Sequence, residues 1–385
     1  MKLLRISVSG LALFKENLDI DFFAEQRVDS ENAEMLFHAF NRVYTNNSIA
    51  IVGINASGKT SVLKVISFII NMLNNEPINN IRNKDILKNS DTIQITSYFC
   101  NDDFVYKLYT VIKKDMNDIF DEGNYKISKE VLFRKKTLMC KTKKDLFLFD
   151  DTQLHYERSS KEEFLKDDIS IVILLNKMQK KKNFYLRDLI NYTNMNFLNF
   201  KANFPHELIQ FLDPSIEYIN FSKSNSEICI KFFNRDEIKL SNPLELESYL
   251  SSGTIKGLNV FINAMLVFNE GGYLIIDEIE NHFNREIVAT LIRFFMNSTV
   301  NKNGATIIFS THYSELLDEF DRNDGIYVVR NQSSIELQKL TRILKRNDIK
   351  KSEAFQSDFL EGTVPLYESY LQFKKAIIRS QVREG

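Results

Sequence analysis

Apolar residues along the chain follow two rhythms. LLRISVSG and LDIDFF, near the N-terminus, alternate apolar and polar positions and predict two edge strands. The polar stretch from Glu25 to Asn47 predicts irregular structure. SIAIV then runs apolar without a break, as a strand does when both faces of a parallel sheet are covered. After the loop GINASGKT, residues Val62, Val65, Ile66, Ile69 and Leu73 recur at helical spacing, so the order is strand, glycine loop, helix.

Further on, the aromatic-rich pattern from Thr92 to Ile112 predicts a hairpin around Asn101-Asp102-Asp103, and ISKEVLFRKK adds a strand. Between Asp145 and Glu217 helical runs such as NFYLRDLINYTNMNF mix with lysine-rich turns, and no repeat is visible. Beyond Ser251 strict alternation resumes. A helix from Thr254 to Phe268 leads through Gly271-Gly272 into the strand YLIID; a helix from Glu286 to Asn297 precedes ATIIFS; a helix from Ser314 to Asp321 precedes GIYVV. Such alternation implies crossover connections and a mostly parallel sheet. Its strands come from both ends of the chain, with the middle inserted.

The predicted organisation is an α/β fold with four stretches. Residues 1–144 carry the glycine loop and antiparallel strands, and 145–217 a mainly helical insertion. Residues 218–335 complete the parallel sheet, and 336–385 form a C-terminal helical extension.

With 385 residues, 44% of them hydrophobic, the chain can bury a substantial core, which excludes disorder as the default. Its 50 basic and 51 acidic side chains balance, so contact with nucleic acid or an anionic membrane needs a local patch. Cys100, Cys140 and Cys229 lie far apart, in keeping with a reducing compartment. The N-terminus has no secretory pattern, and the apolar helix from Ser61 to Leu73 is interrupted by Lys64; a cytoplasmic protein with no membrane span is expected.

GINASGKT fits G-x-x-x-x-G-K-[ST] in its required strand–loop–helix setting. Here Gly53, Ile54, Asn55, Ala56, Ser57, Gly58, Lys59, Thr60 and Ser61 would cradle phosphates with backbone N–H groups and a helix N-terminus. Lys59 would reach the outer phosphates of ATP, and Thr60 would ligate Mg²⁺. In YLIIDE, Asp277 emerges at a strand's carboxyl end, suited to hold the metal, with Glu278 beside it to take a proton from the attacking water. His312 follows the strand IIFST and is placed to meet a terminal phosphate. The stretch YLSSGTIKG offers a second anion site: Ser251 can cap a helix, the N–H groups of Ser252, Gly253 and Thr254 open it, and Gly253 permits close approach. Ordinary N-capping alone would explain Ser-Ser-Gly in isolation.

Taken together, the phosphate loop, LSSGT, the Asp-Glu strand and the strand-end histidine resemble an ABC-type ATPase head. Within that superfamily the chain resembles the OLD/RecF-like ATPases of prokaryotic phage defence, of the abortive-infection AbiL type and the ATPase subunits of Septu-like systems. The stretches that carry the resemblance are LLRISVSGLALFKENLDIDF, IVGINASGKTSVLKVI, LSSGTIKGLNVF, LIIDEIENHFN, IIFSTHYSELL and FLEGTVPLYESY.

The resemblance implies a homodimer or higher homo-oligomer that sandwiches two nucleotides. Lys59, Thr60, Asp277, Glu278 and His312 of one subunit would face Ser251 and Gly253 of the other. It also implies a separate effector, a nuclease or toxin. Relatives often carry Leu-His-Pro where this chain has Phe283-Asn284-Arg285, and no glutamine loop is evident, since Gln94 lies in an alternating strand. No acidic cluster after His312 provides a metal-dependent nuclease. The basic runs Arg134 to Lys144 and Lys177 to Lys182 are read as solvated loops before nucleic-acid contacts. A slow-turnover scaffold and a RecF-like DNA-clamping ATPase remain as alternative functions.

Overall fold

The computed structural model describes every residue except 102, 116–122, 159–165, 179–183, 193–203, 222–227, 282, 332, 347–348, 361, 364–366 and 382–385. From the N-terminus come β1 (Lys2–Ser9), β2 (Leu18–Asp21), α1 (Ser30–Ala33), β3 (Leu36–Phe40), β4 (Val43–Asn46), β5 (Ser48–Val52) and α2 (Lys59–Leu73). Next are β6 (Thr92–Cys100), β7 (Phe104–Lys114), β8 (Tyr125–Lys136), β9 (Leu154–Glu157), α3 (Val172–Met178), β10 (Leu186–Asp188) and α4 (His206–Leu212). Then β11 (Ile216–Phe221), β12 (Ile228–Phe232), β13 (Ile238–Leu240), α5 (Ser252–Glu270), β14 (Tyr273–Ile276), α6 (Arg285–Phe295) and β15 (Thr306–Thr311) follow. The last are β16 (Ile326–Asn331), β17 (Ile335–Lys339), α7 (Leu340–Ile343), α8 (Lys351–Gln356) and α9 (Tyr367–Gln381).

The core sheet has the order β10-β14-β15-β5-β16-β17, parallel except for the antiparallel edge strand β17. Alternate side chains of its apolar strands enter different cores. Ile49, Ile51, Ile275 and Ile308 pack with α2 and the antiparallel sheet, whereas Ala50, Val52, Ile276 and Phe309 pack with α5 and α6. That two-sided burial is why SIAIV and YLII carry no polar alternation. A second sheet, β2-β1-β6-β7-β8-β9, is antiparallel throughout.

Several local expectations differ from the structure. β1 pairs with both β2 and β6 and is an interior strand. Between Glu25 and Asn47 the chain forms the β3–β4 hairpin, hidden because its two strands are short and follow a polar run. In 145–217 the described residues hold two short helices, α3 and α4, but also β9, which extends the antiparallel sheet, and β10, which edges the core sheet. Within NFYLRDLINYTNMNF residues 186–188 are a strand; residues 183 and 193–197 lie outside the described residues. Residues Ser314–Glu319 form a 3-10 helix. Among the described residues no helix is long and apolar enough to cross a membrane.

Two buried tyrosines join the sheets. The Tyr273 hydroxyl, from β14, accepts the Leu3 N–H of β1 at 2.7 Å, and the Tyr327 hydroxyl, from β16, accepts the Asp21 N–H of β2 at 2.7 Å. Lys2 adds a third tie, its ammonium meeting the carbonyls of Gly271, Asn303 and Gly304. Replacing Tyr273 by Phe strands a buried N–H at the sheet junction. Urea unfolding should show a loss of about 1–3 kcal/mol, and an unchanged midpoint and slope would contradict the role given to this hydroxyl.

Candidate functional site

Parallel strands end on one side of the sheet, so Val52, Ile276 and Thr311 deliver the loops that follow them to a common edge. The order places β15 between the phosphate-loop strand β5 and the Asp-Glu strand β14.

Following β5, the loop turns tightly enough to need unusual backbone. Gly58 takes φ 100° just before α2, and Ala56 takes φ 61°. A Cβ on Gly53 would sit 2.5 Å from both Ser57 Oγ and Val329 O. Glycine is required at both Gly53 and Gly58. Ser57 Oγ is buried with no hydrogen-bond partner, and Lys59 Nζ lies 3.0 Å from the carbonyl oxygens of Gly53 and Ile54. Burial pushes the Lys59 ammonium below the ordinary lysine range, opposed by the charges of Glu280, Asp277 and Glu278.

Thr60 opens α2 and donates its hydroxyl to Asp277 Oδ2 at 2.7 Å. Ser310, at the end of β15, donates to the other oxygen, Oδ1. The same Ser310 Oγ accepts the Glu278 N–H at 2.7 Å. Glu278 has φ 45°, a left-handed conformation disfavoured for a residue with a side chain. It is held by Ser310 and by Asn281, whose Nδ2 donates to Glu278 Oε2 at 2.6 Å. Glu280 is buried; its Oε1 accepts the His312 N–H at 2.8 Å and lies 2.5 Å from His312 Nδ1, while Oε2 has no hydrogen-bond partner. The imidazole of His312 is 37% exposed at the site's rim.

Lys59, Thr60, Asp277, Glu278 and His312 are therefore gathered at one sheet edge. Asn284 caps α6 by accepting the Glu286 N–H at 2.9 Å. At the start of α5, Ser251 Oγ accepts the Thr254 N–H at 3.0 Å, as the capping reading requires. Gln94 sits within β6 and accepts from the Tyr109 hydroxyl at 3.0 Å, a structural use. Within the first basic run, Arg134 stacks 4.6 Å from Phe104, and Lys135 and Lys143 bond to main-chain carbonyls. The second run lies mostly outside the described residues, as does His282.

Sequence reading missed Ser310, Glu280, Asn281 and Lys256. Ser310 directly precedes the strand-end Thr311-His312, and Glu280 repeats the acid three residues after Asp277. Lys256 is the one basic residue of α5. Its Nζ reaches Asn281 O at 2.7 Å and Glu278 O at 3.4 Å.

A glycine-bent loop at a helix start, a buried lysine and a buried serine hydroxyl suit a phosphate chain. The paired oxygens of Thr60 and Asp277 are hard donors suited to Mg²⁺. Residues 48–318, well over half of the chain, match the family described as "AAA domain, putative AbiEii toxin, Type IV TA system". The chain belongs to this family. It contains an AAA-type P-loop ATPase domain related to abortive infection, which fits the strand order and the phosphate loop already described. No curated protein matches the chain.

Burial brings the Lys256 ammonium down to about 8, so the folded state holds this proton less tightly than the unfolded chain. Between about pH 8 and pH 10.5 the unfolded state binds more protons, and stability gains with rising pH. The unfolding free energy of the wild type relative to Lys256→Met should therefore rise across that window. A flat or falling difference in urea titrations would contradict the assignment.

Proposed function

We propose that the protein hydrolyses ATP to ADP and phosphate and uses the cycle as a switch in phage defence, controlling a separate nuclease or toxin. The observation that carries this reading is the Asp277 carboxylate, bonded on one side to Thr60 of the phosphate loop and on the other to Ser310, with Glu278 next to it. Membership of a family linked to abortive-infection toxins supports the biological setting.

In this reading the N–H groups of Gly53 to Ser61 and the Lys59 ammonium hold the triphosphate. Thr60 and Asp277 hold Mg²⁺, which when bound neutralises charge on the outer phosphates. Glu278 orients the attacking water and accepts its proton. His312, its Nδ1 fixed by Glu280, turns Nε2 toward the terminal phosphate. Ser251, Ser252, Gly253 and Thr254 meet the nucleotide of a second copy, so ATP closes two heads and hydrolysis releases them. Switching requires ATP to favour the closed assembly over the open one by a wide margin. The internal engagement of Arg134, Lys135 and Lys143 weighs against a nucleic-acid surface at that run, and thus against direct DNA clamping through it.

Glu278→Gln keeps the shape and removes the base. Phosphate release should fall by roughly 10²–10⁴-fold, and light scattering should show a persistent ATP-bound dimer. Wild type and variant with the same turnover and the same dimer lifetime would instead mark a nucleotide-stabilised scaffold.

A further inference from the structure

Lys256 lies one turn into α5, 6% exposed, between Ile255 and Leu258 of the apolar core. A buried lysine is costly, and this one directs its hydrogen bonds to main-chain carbonyls of the turn that follows β14. Nζ is 2.7 Å from Asn281 O, 3.4 Å from Glu278 O and 5.2 Å from the Phe283 ring centre. The turn is also closed by the Asn281 N–H bonding to Glu278 O at 3.0 Å. Three groups from different elements thus converge on Glu278: Ser310 from β15, Asn281 from within the turn and Lys256 from α5.

We propose that Lys256 is a positioning residue that couples the helix opened by Ser251–Thr254 to the placement of Glu278. From Ser251 to Lys256 the helix rises only about 7–8 Å, too short a distance for an α-helix to absorb a displacement by bending. A shift of its first turn therefore moves the Lys256 ammonium, and with it the carbonyls of Glu278 and Asn281. Glu278 already sits at φ 45°, where small movements of the flanking peptide planes redirect the side chain. The coupling rests on the reading that the Ser251–Thr254 turn meets nucleotide in the facing site. Under it, each head's own carboxylate is set by the nucleotide its α5 touches in the partner's site, and the two sites fire together.

The test uses the full chain as wild type, Lys256→Met and Lys256→Arg. Peptide-level amide exchange over residues 278–283 is measured without nucleotide, and ATPase rates are measured against ATP concentration. Lys256→Met should speed exchange in that peptide roughly tenfold, the equivalent of one lost hydrogen bond. It should also lower kcat roughly tenfold with KM within about threefold, and bring a Hill coefficient above one in the wild type down to one. Lys256→Arg, able to reach both carbonyls, should restore most of each.

Exchange in the 278–283 peptide that matches wild type overturns the proposal even if no variant hydrolyses ATP. Loss of hydrolysis by the wild type itself defeats the ATPase reading separately. Acceleration spread evenly over the whole chain, or an arginine variant no better than methionine, also overturns it, since either marks a merely structural lysine.

Discussion

One carboxylate holds the edge of the sheet together. With β15 interposed, the strands that carry the phosphate loop and Asp277 stand two strand spacings apart, about 9.5 Å. Asp277 bridges that gap by accepting from Thr60 at the head of α2 and from Ser310 at the end of β15. Because both oxygens are engaged, its rotamer is fixed, and because Ser310 also receives the Glu278 N–H, the neighbouring acid is fixed with it. Loop, strand end and the turn that carries Glu278 form a single hydrogen-bonded unit on a two-sided hydrophobic base.

Electrostatics follow from the same burial. Lys59, Asp277, Glu280 and Lys256 are all buried, in surroundings where charges act on one another far more strongly than in water. Desolvation weakens the hold of Lys59 on its proton, and the three acids nearby offset only part of that loss. In the proposed reading, an arriving triphosphate would supply further negative charge to the same lysine. The strained backbone at Glu278 belongs to this setting too, since it persists only where surrounding bonds over-determine it.

Much of this was legible in the sequence. The phosphate loop announces itself through glycine spacing, because Gly53 and Gly58 answer to contacts that any side chain would break. SIAIV, YLII and TIIFS read as strands because both faces of the sheet are covered, which leaves no polar alternation to confuse with helix. β10 and the β3–β4 hairpin were not legible. β10 is a three-residue strand, Leu186–Asp188, set in a helical-looking run and paired with β14, and the hairpin consists of two short strands, LFHAF and VYTN, that follow a polar run and show no long alternation. Ser310, Glu280 and Lys256 escaped for a related reason. Their roles depend on which strand lies between which, a fact that no local pattern contains.

The central claim is that the loop closing on Thr60 and Asp277 grips a magnesium-bound triphosphate. Calorimetric titration of the purified chain with ATP, with and without Mg²⁺, beside the Lys59→Ala variant, tests it most directly. The account predicts saturable, Mg²⁺-dependent binding by the wild type and loss of about 3–5 kcal/mol of binding free energy in the variant, as expected when one partner of a buried charge pair is removed. Equal heats from both proteins, or none from the wild type, would contradict it.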